Sequence, residues 1–170
     1  MENLAGEPGP SVESAPHASY AGVRGERLIE VRVRRLDDAA AVASLSAGVY
    51  EAVRQVDCGA VIWGDYRRAS PISALVASAW SRDMRHANRS IARSGILLEP
   101  SNEMFNLQVI RVVQCAGNSA RRLFTDARDL LAWLHDDLSP DDLEVLRGLI
   151  VAGHGPRVST PPPARHAGGM

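Results

Sequence analysis

The chain has 170 residues, 45% of them hydrophobic, which is enough to bury one domain-sized core. No apolar run approaches the ~18–20 residues needed to cross a bilayer, so no membrane span is expected. The formal net charge is −1, which argues against nucleic acid as the partner.

Residues 1–26 are rich in Pro, Gly, Ser and Ala, with isolated apolar side chains, and residues 153–170 are alike. Neither stretch buries enough apolar area to offset ordering entropy, so both read as disordered tails around an ordered domain over 27–152. The opening MENLAGEPGPSVES has no basic or apolar segment of the kind a signal peptide carries, and a cytoplasmic protein is expected.

Within the domain the first strand is Leu28–Arg34, with Ile29, Val31 and Val33 on one face and Glu30, Arg32 and Arg34 on the other. That alternation predicts a half-exposed strand at or near a sheet edge. Asp37 or Asp38 caps a helix reaching about Gln55, with Val42, Leu45, Val49, Val53 and Val56 on one stripe. Gly59–Trp63 is a continuous apolar run, as expected of a strand covered on both faces.

Ser70-Pro71 supplies a cap and a first-turn proline for a second helix, whose apolar stripe is Ile72, Leu75, Val76, Ala79 and Trp80. Arg82, Arg85 and Arg89 fall on its outer side. Ser94–Leu98 is the next buried strand. Ser101 caps a third helix that ends at Gly117, well placed for a left-handed residue. Arg121–Thr125 forms a short strand, Asp126 caps a fourth helix, and Ser139-Pro140 starts a fifth. The order β-α-β-α-β-α-β-α-α implies right-handed parallel crossovers, hence one α/β domain with a mostly parallel sheet of four or five strands. Trp63 and Trp133 are expected in its core.

Catalytic signatures are missing: the sequence contains no GxGxxG, GxxxxGK[ST], GxSxG or HExxH pattern. The basic residues are nineteen arginines and no lysine, which excludes a Schiff-base or P-loop lysine. Cys58 and Cys115 have no CxxC spacing and read as small core thiols in a reducing compartment. No catalytic residue, cofactor or metal ligand is assigned.

Four features remain. Asp65 follows a buried strand, where open α/β sheets place ligands, and reads as a phospho-acceptor or as the acceptor of an Asx turn. Ser70 and Ser73, with Arg67 and Arg68 just upstream, are candidate phosphorylation sites at a helix N-terminus. Asp83 falls in the apolar sector of its helix and calls for a partner, an arginine above all, or for a place on the rim. The third helix is apolar nearly all round: beyond its inner stripe of Phe105, Val109 and Val112 it carries Met104, Leu107 and Ile110. Either a second neighbour buries that surplus or it meets another protein.

Charge is also uneven, at +6 over residues 67–122 and −5 over 126–147. The segments read as solvated helix faces or as a dipole that steers association.

The stretches V-I-W-G-D-Y-R-R-A-S-P, R-S-G-I-L-L and R-R-L-F-T-D-A-R-D-L-L-A-W-L resemble the SpoIIAA-like branch of the STAS-like domains (the STAS/SEC14-like small α/β group) over about residues 28–138. The resemblance implies a non-enzymatic, bacterial-type regulatory or scaffold domain that binds a protein partner or itself. In some relatives it implies a carrier of a small apolar or lipid-like ligand held between sheet and helices. Anti-sigma-factor antagonists of this kind switch on a serine two residues after an aspartate that follows a strand. With Asp65 matched to that aspartate, Arg67 stands at the serine position, leaving Ser70 and Ser73 as displaced candidates. The expected contact surface is Met104, Leu107 and Ile110, together with Asp65, Arg67 and Arg68.

Overall fold

Consecutive strands in this chain are also neighbours in space. The computed structural model describes residues 18–56 and 59–153. Its sheet comprises β1 (Tyr20–Val23), β2 (Leu28–Arg32), β3 (Ala60–Asp65), β4 (Ile91–Leu97) and β5 (Arg121–Phe124), hydrogen-bonded in that order. β1 is antiparallel to β2, and the other pairings are parallel. The helices are α1 (Ala39–Arg54), α2 (Ala74–Ala87), α3 (Glu103–Ala116), α4 (Ala127–Leu134) and α5 (Pro140–Ala152).

Strictly sequential order has a consequence. Right-handed crossovers that always step the same way leave their helices on one face of the sheet. Val42 of α1, Trp80 of α2 and Phe105 of α3 accordingly share one core with Ile29, Ile62 and Ile96. The other face is left to the chain beyond β5, and Leu130, Leu134, Leu146 and Ile150 of α4 and α5 cover it, over Leu28, Val61, Trp63 and Leu97. Because strand side chains alternate, Ile62 enters the first core while Val61 and Trp63 enter the second. Double coverage is why the run V-I-W carries no polar residue.

Several elements differ from their sequence reading. Tyr20–Val23, inside the predicted 1–26 tail, is a strand, so the domain begins earlier than 27. β1 forms the edge and leaves β2 next to it, near the edge as read, but β2 is not half-exposed: Glu30, expected to face solvent, is fully buried. The β1–β2 turn is fastened by Asp142 at the start of α5, which accepts from the amides of Glu26 (2.9 Å) and Arg27 (3.1 Å). A Cβ at Gly25 would lie 1.7 Å from Asp142 Oδ1, so only glycine admits this carboxylate.

α2 begins three residues later than Ser70-Pro71 suggests: Ser73 is its cap and accepts from the Val76 amide (3.3 Å). At α3 the cap position is Asn102, without a side-chain cap bond, and Ser101 bonds Glu99 instead. The other caps fall as read, at Asp38, Asp126, Ser139 and the left-handed Gly117. Asp83 takes a hydroxyl rather than an arginine: Ser46 Oγ donates to its Oδ2 at 2.7 Å. Cys115 is exposed, not a core thiol, and Cys58 and the 154–170 part of the second tail lie outside the described residues. Trp133 is half-buried between the guanidinium groups of Arg93 and Arg122, 4.4 and 3.8 Å from its ring centroid.

Trp63 is fully buried beneath α4 and α5, whereas Arg82, Arg85 and Arg89 lie on the outer side of α2 and its C-terminal turn, none of them buried. Trp63→Ala is expected to lower unfolding free energy by about 3–5 kcal/mol, and changing the three arginines to Gln by less than about 0.5 kcal/mol. Urea unfolding of the two variants checks both values; a triple variant as unstable as Trp63→Ala would contradict this orientation of α2.

Candidate functional site

The parallel register brings Arg32, Asp65, Leu97 and Phe124 to one end of the sheet, the carboxyl end, where open α/β folds bind ligands. The loop 65–73 lies there. Asp65 itself is 1% exposed. Its Oδ1 accepts from Arg67 Nε (2.9 Å) and from the Arg67 amide (3.3 Å), the Asx-turn contact, and its Oδ2 from Arg34 Nη2 (3.2 Å).

Burial alone would raise the Asp65 carboxyl, but the hydrogen bonds and charges of Arg67 and Arg34 outweigh it and hold the group below its ordinary value. Arg67 also donates to the Ile150 carbonyl at 3.3 Å, a cation at the C-terminal end of α5. Gly153 follows that end, and a Cβ there would fall 1.9 Å from Arg67 Nη2.

A second buried carboxylate lies alongside. Glu30 accepts from Tyr20 Oη (2.5 Å), Arg24 Nε (2.7 Å) and Arg32 Nε (2.7 Å), and Arg32 Nε stands 3.9 Å from Asp65 Oδ2. Burial and the bond to Glu30 push the Tyr20 hydroxyl up, so it remains the donor in this cluster. Polar groups from β1, β2, β3 and α5 thus form two hydrogen-bonded clusters, joined by the Arg32–Asp65 ion pair.

The loop beyond Asp65 is pinned on both sides. Tyr66 N donates to the Leu97 carbonyl (3.0 Å), Ser70 N to the Arg34 carbonyl (2.8 Å), and Asn102 Nδ2 to the Ala69 carbonyl (2.8 Å). Gln108 of α3 grips both the amide and the carbonyl of Ile72, at 2.9 and 2.7 Å. Among the sequence candidates, Ser70, Ser73 and Arg68 are exposed. Asp65 and Arg67, expected on the contact surface, are buried and present no surface to a partner. Their burial answers to Glu30, Arg34 and the end of α5, which local sequence around residue 65 does not show.

The three surplus residues of α3 point outward: Met104 is 62% exposed, Leu107 61% and Ile110 37%. Leu75, expected on the apolar stripe of the second helix, lies in the first turn of α2 on its outer side and is exposed at 73%. Between α2 and α3 runs a shallow groove bordered by Arg82, Arg85 and Arg111. Arg85 Nη2 donates to the Cys115 carbonyl across it, tying the two helix ends together.

A further feature was not visible in the sequence. A cavity of about 50 Å³ lies between α1, α2 and the sheet. Val31, Leu45, Ile62 and Ile96 supply apolar wall, Tyr66, Ser94 and Arg121 also line it, and half-buried Ser46 and Asp83 and exposed Tyr50 mark its mouth. Arg121 is 7% exposed, and its Nη1 is buried with no hydrogen-bond partner among the described residues. Burial pulls the Arg121 guanidinium down and pushes the Tyr66 hydroxyl up, each opposed by the other's charge.

Among the described residues no group of three or more His, Cys, Asp or Glu side chains is placed to hold a metal ion, and no helix is long and apolar enough to cross a membrane.

Sequential parallel strands, one antiparallel edge strand and helices on both faces define a doubly covered α/β domain with a pinned loop at its carboxyl end. The fold is SpoIIAA-like. It matches the crystal structure of an uncharacterized protein of the DUF3478 family, with a SpoIIAA-like fold, from Shewanella loihica PV-4. The TM-score is 0.52 and the identity 16%, over 73% of this chain and 99% of that one, a likeness of fold. No family model and no curated protein matches the sequence.

Asp65→Asn is expected to destabilise the domain by about 3–5 kcal/mol at pH 7, because it leaves Arg67 and Arg34 without their buried counter-charge. The folded carboxyl lies below the ~3.9 of an unfolded aspartate, so its stabilisation is complete above that value and lost as pH falls through the folded pKa. Urea unfolding between pH 7 and pH 3 should therefore show a shallower acid-side decline in the variant than in the wild type. Equal slopes would mean that the pairs contribute nothing.

Proposed function

We propose that this chain is a non-enzymatic regulatory or scaffold domain that works by docking an acidic protein partner on its α2–α3 layer. The observation that carries the reading is the outward placement of Met104, Leu107 and Ile110 on α3, a helix whose inner stripe of Phe105, Val109 and Val112 already satisfies the core. Buried interface anchors are apolar, and their rims are polar. Here the polar rim is basic: Arg82, Arg85 and Arg111 border the adjoining groove, within a segment carrying a net +6. An acidic surface is its electrostatic complement, and such complementarity raises association rate and selects partners. The exposed Ser70 and Ser73 adjoin the same layer, where a phosphate would reduce its positive charge.

Leu107→Glu tests the proposal. At 61% exposure the substitution should leave the fold intact by circular dichroism, with stability changed by less than about 0.5 kcal/mol. It should weaken partner binding by about 2 kcal/mol or more, measured on the complex reconstituted from the purified components after capture from the native host. Binding by the wild type should also weaken as salt rises from about 0.05 to 0.5 M, since exposed charges are screened within a Debye length. A folded variant that binds as the wild type does would remove α3 from the interface. Concentration-dependent self-association suppressed by Leu107→Glu would make a second copy the occupant.

A further inference from the structure

We propose that the basic groove between α2 and α3 is a phosphate site, and that the acidic partner of this layer is recognised through a phosphoserine or phosphothreonine seated on Arg82, Arg85 and Arg111. This rests on the association reading above and specifies the chemistry that the partner brings.

The two helices present one graded surface. α2 and α3 are successive crossovers between parallel strands, so they run in the same direction. Leu75, Ser78, Arg82 and Arg85 recur at spacings of three and four along α2, and Met104, Leu107 and Arg111 do so along α3, so each set lies on one face of its helix. The exposed apolar side chains stand toward the N-terminal ends and the arginines toward the C-terminal ends. A groove of about 300 Å³ separates the two arginine-bearing segments, and no acidic residue lines it.

Arg82, Arg85 and Arg111 are exposed, and no ion pair among the described residues involves any of them. Arg85 answers to a helix end, through the Cys115 carbonyl. Arg82 and Arg111 each stand five residues before the end of their helix, whereas a macrodipole acts within the last turn, so capping explains neither position. Three guanidinium groups with no carboxylate among them call for more negative charge than one carboxylate carries. A phosphomonoester brings about −1.5 to −2 at neutral pH and three acceptor oxygens, enough for several forks at once. The apolar end of the surface asks for apolar side chains on the same ligand, which a polypeptide supplies and a nucleic acid does not. A groove also takes a projecting group, and a planar membrane presents none. The spacing fits an extended segment: Leu107 and Arg111 are about 6 Å apart along the axis of α3, close to the ~6.6 Å between alternate residues of a strand. A leucine two residues from the phosphorylated one therefore reaches Leu107 while the phosphate lies on Arg111.

The test uses three fluorescein-labelled peptides on the full chain, of sequence Leu-Ala-Leu-Ala-X-Ala-Leu-Ala-Leu with X as phosphoserine, glutamate or serine, read by fluorescence anisotropy. Leucines on both sides of X allow either chain direction. The phosphoserine peptide should bind about tenfold or more tighter than the glutamate peptide. Arg82→Gln and Arg111→Gln, both at exposed positions, should each remove that advantage and leave the serine peptide unchanged. Leu107→Glu should weaken all three. Equal affinity for the phosphoserine and glutamate peptides, or a selectivity that survives both arginine substitutions, would overturn the phosphate site. The association reading fails separately, on a Leu107→Glu variant that binds the captured partner as the wild type does. Displacement of the phosphoserine peptide by a short single-stranded DNA or by phosphatidylserine vesicles at equal phosphate concentration would make the groove a general polyanion surface, which also overturns the proposal.

Discussion

Asp65, Arg67 and Arg34 meet at the end of β3, and the arrangement of that whole end of the molecule depends on their pairing. A carboxylate in a sheet covered on both faces is stable only if cations reach it from the adjoining elements. Arg34 arrives from the segment after β2, Arg67 from the loop after β3, and Arg67 in turn closes the C-terminal end of α5 through the Ile150 carbonyl. α5 is thereby held across the sheet, and Asp142 at its other end fastens the β1–β2 turn. Arg67, two residues after Asp65, is thus a buried structural arginine. Ser70 and Ser73, further along the loop, remain at the surface.

The strand order accounts for the exposed apolar helix. Three crossovers on one face make a layer of α1, α2 and α3, and α3 stands at one end of it, packed against α2 on one side only. α4 and α5 are committed to the opposite face, so no helix of the described chain covers the outer side of α3. Solvent therefore meets Met104 and Leu107, although the helix reads as apolar nearly all round.

The parallel core was legible in the sequence because its signals are local. Alternation in β2, a continuous apolar run in β3, caps at Asp38, Asp126 and Ser139, and Gly117 with a φ of 63° are all set by near neighbours. What escaped depends on distant partners. β1 is four residues, Y-A-G-V, whose composition matches a linker and whose pairing is secured by Asp142, more than a hundred residues away. Glu30 looked solvent-facing because alternation reports two faces, not whether the second is covered. The Ser-Pro signal placed the start of α2 too early because Gln108 of α3 holds Ile72 in the segment ahead of the helix. Arg121 and Arg122 are indistinguishable as a dipeptide. Opposite sides of the sheet give one a place in a cavity and the other an aromatic stack.

Arginine's exclusive use has a physical logic in such a molecule. Its planar, weakly hydrated fork can lie buried against carboxylates, carbonyls and rings, where an ammonium would lose more hydration for fewer directed bonds. Arg67, buried on Asp65 and over Trp63, is of this kind, and partly or fully exposed arginines use the same fork on a buried carboxylate or a ring: Arg24 and Arg32 on Glu30, Arg93 and Arg122 about Trp133. A segment's charge count therefore overstates the field it presents to a partner. The +6 of residues 67–122 includes Arg67 and Arg121, both buried, while Arg82, Arg85 and Arg111 border the α2–α3 groove at the surface. α2 carries that groove on one side and, through Trp80, Asp83 and Met84, the wall of the α1–α2 cavity on the other.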